Sequence, residues 1–236
     1  MESGLRHLAM ISQFFLQSLF PIYCLRCGQE QTLFCKHCHN LYLPKPCLGS
    51  CFFCDKNQTF GYTCLSCQKS TFLDGCISLG FYGDPVLRQA IHGWKYQGQR
   101  EFELYFFDWI ERTYLLDHLP SYCWSVQPIP LHIRRQNERG FNQAYIMAQW
   151  IAEKCRFTLV DLLNRTVFTP AQAARIGSGR FLGELDGIFS VKPGIIPSHI
   201  LLCDDVFTSG ATMDSAAKIF KQAGAKMVWG LTLAKG

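Results

Sequence analysis

Residues 200–213 read Ile-Leu-Leu-Cys-Asp-Asp-Val-Phe-Thr-Ser-Gly-Ala-Thr-Met, and several chemistries meet in that run. The apolar stretch from Ile200 to Cys203 predicts a strand that ends in two adjacent carboxylates, Asp204 and Asp205. Thr208, Ser209, Gly210, Ala211 and Thr212 follow as a small-residue turn that opens into a helix. Backbone N–H groups of such a turn, backed by a helix N-terminus, form a concavity for a phosphate dianion. Thr208, Ser209 and Thr212 add hydroxyl donors. Gly210 lets the backbone come close and take positive φ. Two carboxylates repel a phosphate, so Asp204 and Asp205 suit the hydroxyls of an attached sugar, or a Mg²⁺ ion that arrives with the ligand. The run is a candidate cradle for a phosphorylated ribose; the plain alternative is an ordinary strand-turn-helix with a polar rim. A Walker-type loop is excluded, because Gly-x-x-x-x-Gly-Lys-Ser/Thr does not occur.

A second group of chemistry-bearing residues lies in 126–147, Val-Gln-Pro-Ile-Pro-Leu-His-Ile-Arg-Arg-Gln-Asn-Glu-Arg-Gly-Phe-Asn-Gln-Ala-Tyr-Ile-Met. Arg134, Arg135 and Arg139 stand with His132 after a predicted strand. A guanidinium fork donates paired hydrogen bonds to phosphate oxygens, so a pyrophosphate or a nucleic-acid backbone is the natural target. Taken alone, the segment reads as a solvated basic loop; beside the acidic turn it reads as the other half of a site.

The third group is the cysteines. The chain has 13, of which nine fall between Cys24 and Cys67. Cys24 and Cys27, Cys35 and Cys38, Cys51 and Cys54, and Cys64 and Cys67 each form a Cys-x-x-Cys turn that aims two thiolates at one tetrahedral metal. Four thiolates close a zinc site, which makes it structural, and the thiols imply a reducing compartment. Two zinc ions per chain are expected. The order in which the four turns pair is open, as is the role of Cys47. A redox-active pair is the alternative, disfavoured by four clustered turns outside any βαβ pattern.

These groups need a scaffold, and 236 residues with 48% hydrophobic content supply one α/β domain plus a small appendage. A net charge of +5 is too mild to indicate a nucleic-acid surface by itself. Leu8, Ile11, Phe15, Leu19 and Ile22 recur at helical spacing, so residues 1–23 predict a lead amphipathic helix, with membrane-surface binding as the minority reading. Residues 24–70 form the zinc module. Residues 71–236 read as α/β, with helices near 85–94, 100–116, 141–155 and 211–223 and strands near 123–129, 158–163, 199–203 and 226–233. The segment 131–140 reads as a loop, and Asn142 as the cap of the helix after it. Alternation of strand and helix implies a mainly parallel sheet whose ligands sit beyond the carboxyl ends of its strands.

The acidic turn resembles the 5-phosphoribosyl-1-pyrophosphate (PRPP) loop of type I phosphoribosyltransferases. Pro-x-Pro-Leu-x-x-x-Arg-x-x-x-Arg-Gly-Phe-Asn-Gln, Thr169-Pro170-Ala171-Gln172-Ala173, Asp-Asp-Val-x-Thr-Ser-Gly-Ala-Thr and the N-terminal cysteine turns together are similar to the ComF/ComFC competence family. The resemblance implies a type I phosphoribosyltransferase-like parallel sheet flanked by helices, with a small N-terminal zinc module. It also implies a role in natural transformation, handling incoming single-stranded DNA in the cytoplasm or at the inner membrane face. A ComF-type helicase and a DNA-processing protein are the implied partners, and residues 169–173 would be a loop that closes over the ligand. Glu184 and Asp186 stand where the family usually has Asn and a basic residue. The alternative is an active transferase that uses PRPP and releases pyrophosphate. Its Asp204 and Asp205 would hold the ribose hydroxyls, residues 208–212 the 5′-phosphate, and Arg134 or Arg135 the leaving group.

Overall fold

The computed structural model describes residues 22–57, 60–96, 98–166 and 187–236. The lead helix, apart from Ile22 and Tyr23, lies outside them, and so do residues 169–173, Glu184 and Asp186. Strand β1 (Gly75–Phe81) is followed by helices α2 (Pro85–Tyr96) and α3 (Phe102–Arg112), with a short α1 (Lys36–Leu41) earlier in the cysteine region. Strand β2 (Ser125–Pro128), helices α4 (Ile133–Arg139) and α5 (Gln143–Cys155), and strand β3 (Thr158–Leu159) come next. Strands β4 (Leu163–Arg165) and β5 (Phe189–Val191) precede β6 (His199–Phe207), α6 (Ala211–Gln222) and β7 (Met227–Lys235). The main sheet has the order β1-β7-β6-β2-β3, and all its pairs are parallel. β4 and β5 form a separate antiparallel ribbon.

Local sequence explains the helix starts. Pro85 occupies the first turn of α2, where a missing N–H costs nothing. The Asp84 carboxylate accepts from the N–H groups of Val86 at 2.9 Å and Leu87 at 3.1 Å. Asn142 caps α5 as its sequence predicts, accepting from Ala144 N–H at 3.0 Å. The buried face of α5 comprises Ala144, Met147, Ala148, Ile151 and Ala152, whereas Tyr145 is exposed.

Alternation along β6 divides the core. Leu201 and Cys203 pack with Ile91 and Trp94 of α2, while Ile200 and Leu202 pack with Leu163, Phe189 and Met213.

Three features differ from expectation. The segment 133–139 is helical rather than a loop; its sequence carries no apolar stripe and none of its residues is buried, so no period betrays it. β1 falls ahead of the first element that the sequence predicts within 71–236. Gly75 is needed there, because a Cβ would stand 2.6 Å from the Trp229 ring. β6 does not stop at Cys203 but runs on to Phe207, because β7 continues to pair with it: Asp204 faces Thr232, Val206 faces Ala234 and Phe207 faces Lys235.

Candidate functional site

The carboxyl end of β6 is where the sheet opens. β2 accompanies it only as far as Pro128 opposite Cys203, with Ile129 N–H donating to the Cys203 carbonyl at 2.8 Å. From Asp204 onward one side of β6 has lost its strand neighbour, and ligands of such sheets bind beyond strand ends of this kind. Asp205 has the parity of Leu201 and Cys203 and meets Lys95 of α2, with Nζ 2.7 Å from Oδ1. Asp204 has the parity of Leu202. Its own carboxylate Oδ1 accepts from Asp205 N–H at 2.8 Å. Burial first, and then the Asp205 charge, push the Asp204 carboxyl up to about 7, against the opposing pull of Lys95 and Arg165.

The arginine segment lies on the same side. α4 is capped at its start by His132, whose Nδ1 accepts from Arg134 N–H at 3.2 Å, and it ends at Gly140 with φ 77°. Arg135 and Arg139 face a cavity of about 400 Å³, lined also by Lys95, Tyr96, Glu138 and Phe141. Lys95 therefore belongs both to this cavity and to the carboxylate pair. Arg139 is fixed by hydrogen bonds to Gln143 Oε1 and the Tyr96 hydroxyl, both at 3.2 Å. Arg134 is exposed and is not part of the lining. A second link runs through Arg165 of β4. Burial lowers its pKa, Asp204 raises it, and Arg135 lowers it, so Arg165 feels a charge from each side.

The turn from 208 to 212 leads out of β6. Thr208 and Ser209 are exposed, Ala211 and Thr212 half-buried, and Gly210 buried. Gly210 has φ 78° and caps α6; a Cβ there would lie 2.4 Å from Phe207 Cζ and 2.7 Å from Phe53 Cε1. Only glycine satisfies both constraints. One turn into α6, the buried Asp214 carboxylate accepts from Phe72 N–H at 2.6 Å and Leu73 N–H at 3.1 Å, which ties the helix to the segment before β1.

The cysteine turns pair in sequence order. Cys24, Cys27, Cys35 and Cys38 form one cluster, and Cys51, Cys54, Cys64 and Cys67 another, with all sulfur atoms of a cluster within 4.8 Å of one another. Four sulfurs at about 2.3 Å from a tetrahedral zinc stand about 3.8 Å apart. Cys27 and Cys35 have their Sγ atoms 3.7 Å apart, and Cys54 and Cys64 theirs 3.6 Å apart, so the donor sets fit such an ion. Burial would push the Cys24 thiol up, but the N–H groups of Cys35, Cys27 and Arg26 outweigh it and bring it down to about 6. The Cys67 N–H does most to bring Cys64 down to about 7. In each cluster, backbone N–H groups thus favour a thiolate, the form that binds metal. Cys47 is buried outside both clusters.

Comparison with known proteins places the chain in a family. The chain is 30% identical over 220 residues to competence protein ComFC of Streptococcus pneumoniae, an overlap of 87% of this chain and 96% of that protein. The chain belongs to the ComFC family of competence proteins. The Bacillus subtilis ComFC is 27% identical over 186 residues, covering 74% of this chain and 72% of the relative. Competence protein F of Haemophilus influenzae is 28% identical over 232 residues, covering 91% and 86%. No family profile matches the chain.

In this chain, sequence reasoning missed Lys95 and Arg165. Lys95 sits in Gly-Trp-Lys-Tyr-Gln-Gly, a helix end whose aromatic neighbours look like ordinary core. Arg165 follows Asn164 in a three-residue strand with no motif around it. Only the fold brings either one to the acidic pair.

Proposed function

We propose that this ComFC-family chain handles single-stranded DNA in the cytoplasm during uptake, through a sugar-phosphate site of the PRPP type. Residues 208–212 take a 5′-phosphate on the turn and the N-terminus of α6. Asp204 and Asp205 take the ribose hydroxyls, or the Mg²⁺ that accompanies PRPP, with Asp205 exchanging its Lys95 contact for the ligand. Arg135 and Arg139 neutralise the next phosphates, whether of a DNA strand or of pyrophosphate. The clusters are zinc sites that fix residues 24–70 as a structural module on a phosphoribosyltransferase-like domain from 71 onward. The transformation partners of the family, a helicase and a DNA-processing protein, are the expected company.

One observation carries the reading: Lys95 both pairs with Asp205 and lines the cavity that holds Arg135 and Arg139. This supports a single groove with carboxylates at one end and guanidiniums along its wall. Calorimetric titration with Mg²⁺ and PRPP tests it. Asp204→Asn with Asp205→Asn abolishes binding while the circular dichroism spectrum stays that of wild type; an unchanged affinity in the double variant rejects the site.

The cavity of about 400 Å³ also favours a second reading, since it has room for pyrophosphate beside a small acceptor. In that case an acceptor nitrogen forms a bond to the anomeric carbon as the carbon–pyrophosphate bond breaks. The leaving pyrophosphate takes the bond's electron pair and departs to Arg135 and Arg139, and the nitrogen releases its proton to solvent. PRPP-dependent pyrophosphate release distinguishes the two readings.

A further inference from the structure

The second cysteine cluster does not simply hang beside the sheet. The two residues inside its first turn, Phe52 and Phe53 of Cys51-Phe52-Phe53-Cys54, both meet the ring of Phe207 edge to face, at 5.2 Å and 83° and at 5.5 Å and 74°. Phe207 is the last residue of β6, immediately before the phosphate turn. Phe53 also closes over Gly210 itself, near enough that a single added carbon there would collide with it. Asp55, next after Cys54, is ion-paired with Lys235, the last residue of β7 and the register partner of Phe207. The Lys235 ammonium, almost wholly buried, lies 5.0 Å over the Phe52 ring. One four-residue knuckle and its neighbour thus hold three residues at the base of the turn, Phe207, Gly210 and Lys235.

The first cluster is placed differently. Its contacts go to α3: the Tyr105 hydroxyl donates to the Phe34 carbonyl at 3.2 Å, and Arg112 donates to the His39 carbonyl at 3.0 Å. The two clusters therefore support different parts of the molecule, and the one at 51–67 abuts the candidate anion site.

A Cys-x-x-Cys knuckle is rigid only while its thiolates share an ion, because a module this small has little apolar core to hold it. An anion turn binds well only if its donors are already arranged, since ordering them at the moment of binding subtracts from affinity. We infer that the 51–67 cluster, through Phe53 and Phe52 as positioning residues, couples its own metal occupancy to anion binding at residues 208–212. The 24–38 cluster has no such coupling. The inference rests on the reading of 208–212 as a phosphate site. It follows from linkage that a phosphate ligand tightens metal binding at this cluster by the same factor by which the metal tightens the ligand.

The test uses the full-length, zinc-loaded protein and PRPP with Mg²⁺ as probe. Phe53→Ala weakens PRPP about tenfold, within the usual range of such couplings, and retains two metal ions per chain. In chelator competition at equilibrium, saturating PRPP tightens one of the two metal sites of the wild type by a similar factor and leaves the other unchanged; Phe53→Ala removes that effect. A merely structural Phe53 would lower stability without abolishing the metal–ligand coupling. The wild-type chelator arm needs no variant, so it decides the matter even should Phe53→Ala fail to fold. Wild-type protein that binds PRPP with both metal sites indifferent to it overturns the coupling and leaves the phosphate site standing. Wild-type protein that does not bind PRPP overturns both.

Discussion

Lys95 Nζ stands 2.7 Å from Asp205 Oδ1, with each side chain only 14% exposed. The pair joins the last turn of α2, where the helix dipole favours a cation, to the strand end where the sheet opens. It also makes the acidic doublet asymmetric. Asp205 has a cation of its own, while Asp204 lies beside that carboxylate and under burial that raises its pKa. The doublet thus has one member paired with a cation and the other biased to hold a proton.

Removing the cation leaves a carboxylate sheltered from water with no partner, which is the costly half of a buried ion pair. Lys95→Met is expected to lower the unfolding free energy by about 3 kcal/mol, measured by urea denaturation. Lys95→Met with Asp205→Asn recovers most of that loss, because neither charge then remains. A Lys95→Met protein as stable as wild type would show that the pair contributes nothing.

On the proposed function, the raised Asp204 carboxyl gives stability and ligand binding opposite pH dependences. Its folded-state value of about 7 lies above the ordinary 3.8, so the folded state holds the proton more tightly than the unfolded chain. The stabilisation is complete below about pH 4 and is lost as pH rises through 7, a change of a few kcal/mol at about 1.4 kcal/mol per pKa unit. A sugar hydroxyl or Mg²⁺ needs the ionised form, so PRPP affinity rises over that same interval. Asp204→Asn flattens the stability profile from pH 4 to 8. If the variant keeps the wild-type slope, another group is responsible.

The acidic turn and the four cysteine turns were legible because their chemistry is contiguous. Asp204, Asp205, Gly210 and Cys51 to Cys54 each announce themselves within a few residues. The α5 cap at Asn142 was legible for the same reason. What was hidden depends on long separations. Lys95 and Asp205 are 110 positions apart, and the Phe53–Gly210 contact spans more still. α4 was hidden because a surface helix without an apolar stripe has no period to detect. The extra length of β6 was hidden because its partner β7, not its own residues, prolongs it.

The cysteine clusters predict a metal count. Elemental analysis of protein purified without added chelator gives about two zinc ions per chain. Cys64→Ser leaves about one, because the clusters share no ligand. A count of two in that variant would mean that three thiols and water suffice; a count of zero in wild type would end the zinc assignment.

Arg135 and Arg139, which line the cavity, should carry the DNA backbone contacts. Each phosphate neutralised on a single strand contributes about 0.7 to the slope of log affinity against log salt. Arg135→Ala with Arg139→Ala should therefore make the slope for a thymidine oligonucleotide shallower by about 1.4, and the loss should be the same on any base sequence. Arg134→Ala, on the exposed face of the same short helix, serves as the contrast and changes the slope less. Fluorescence anisotropy from 50 to 300 mM salt reads both. Equal slopes in wild type and the cavity variant would move the DNA path off this groove, whereas a larger effect from Arg134 would move it to the outer face of α4.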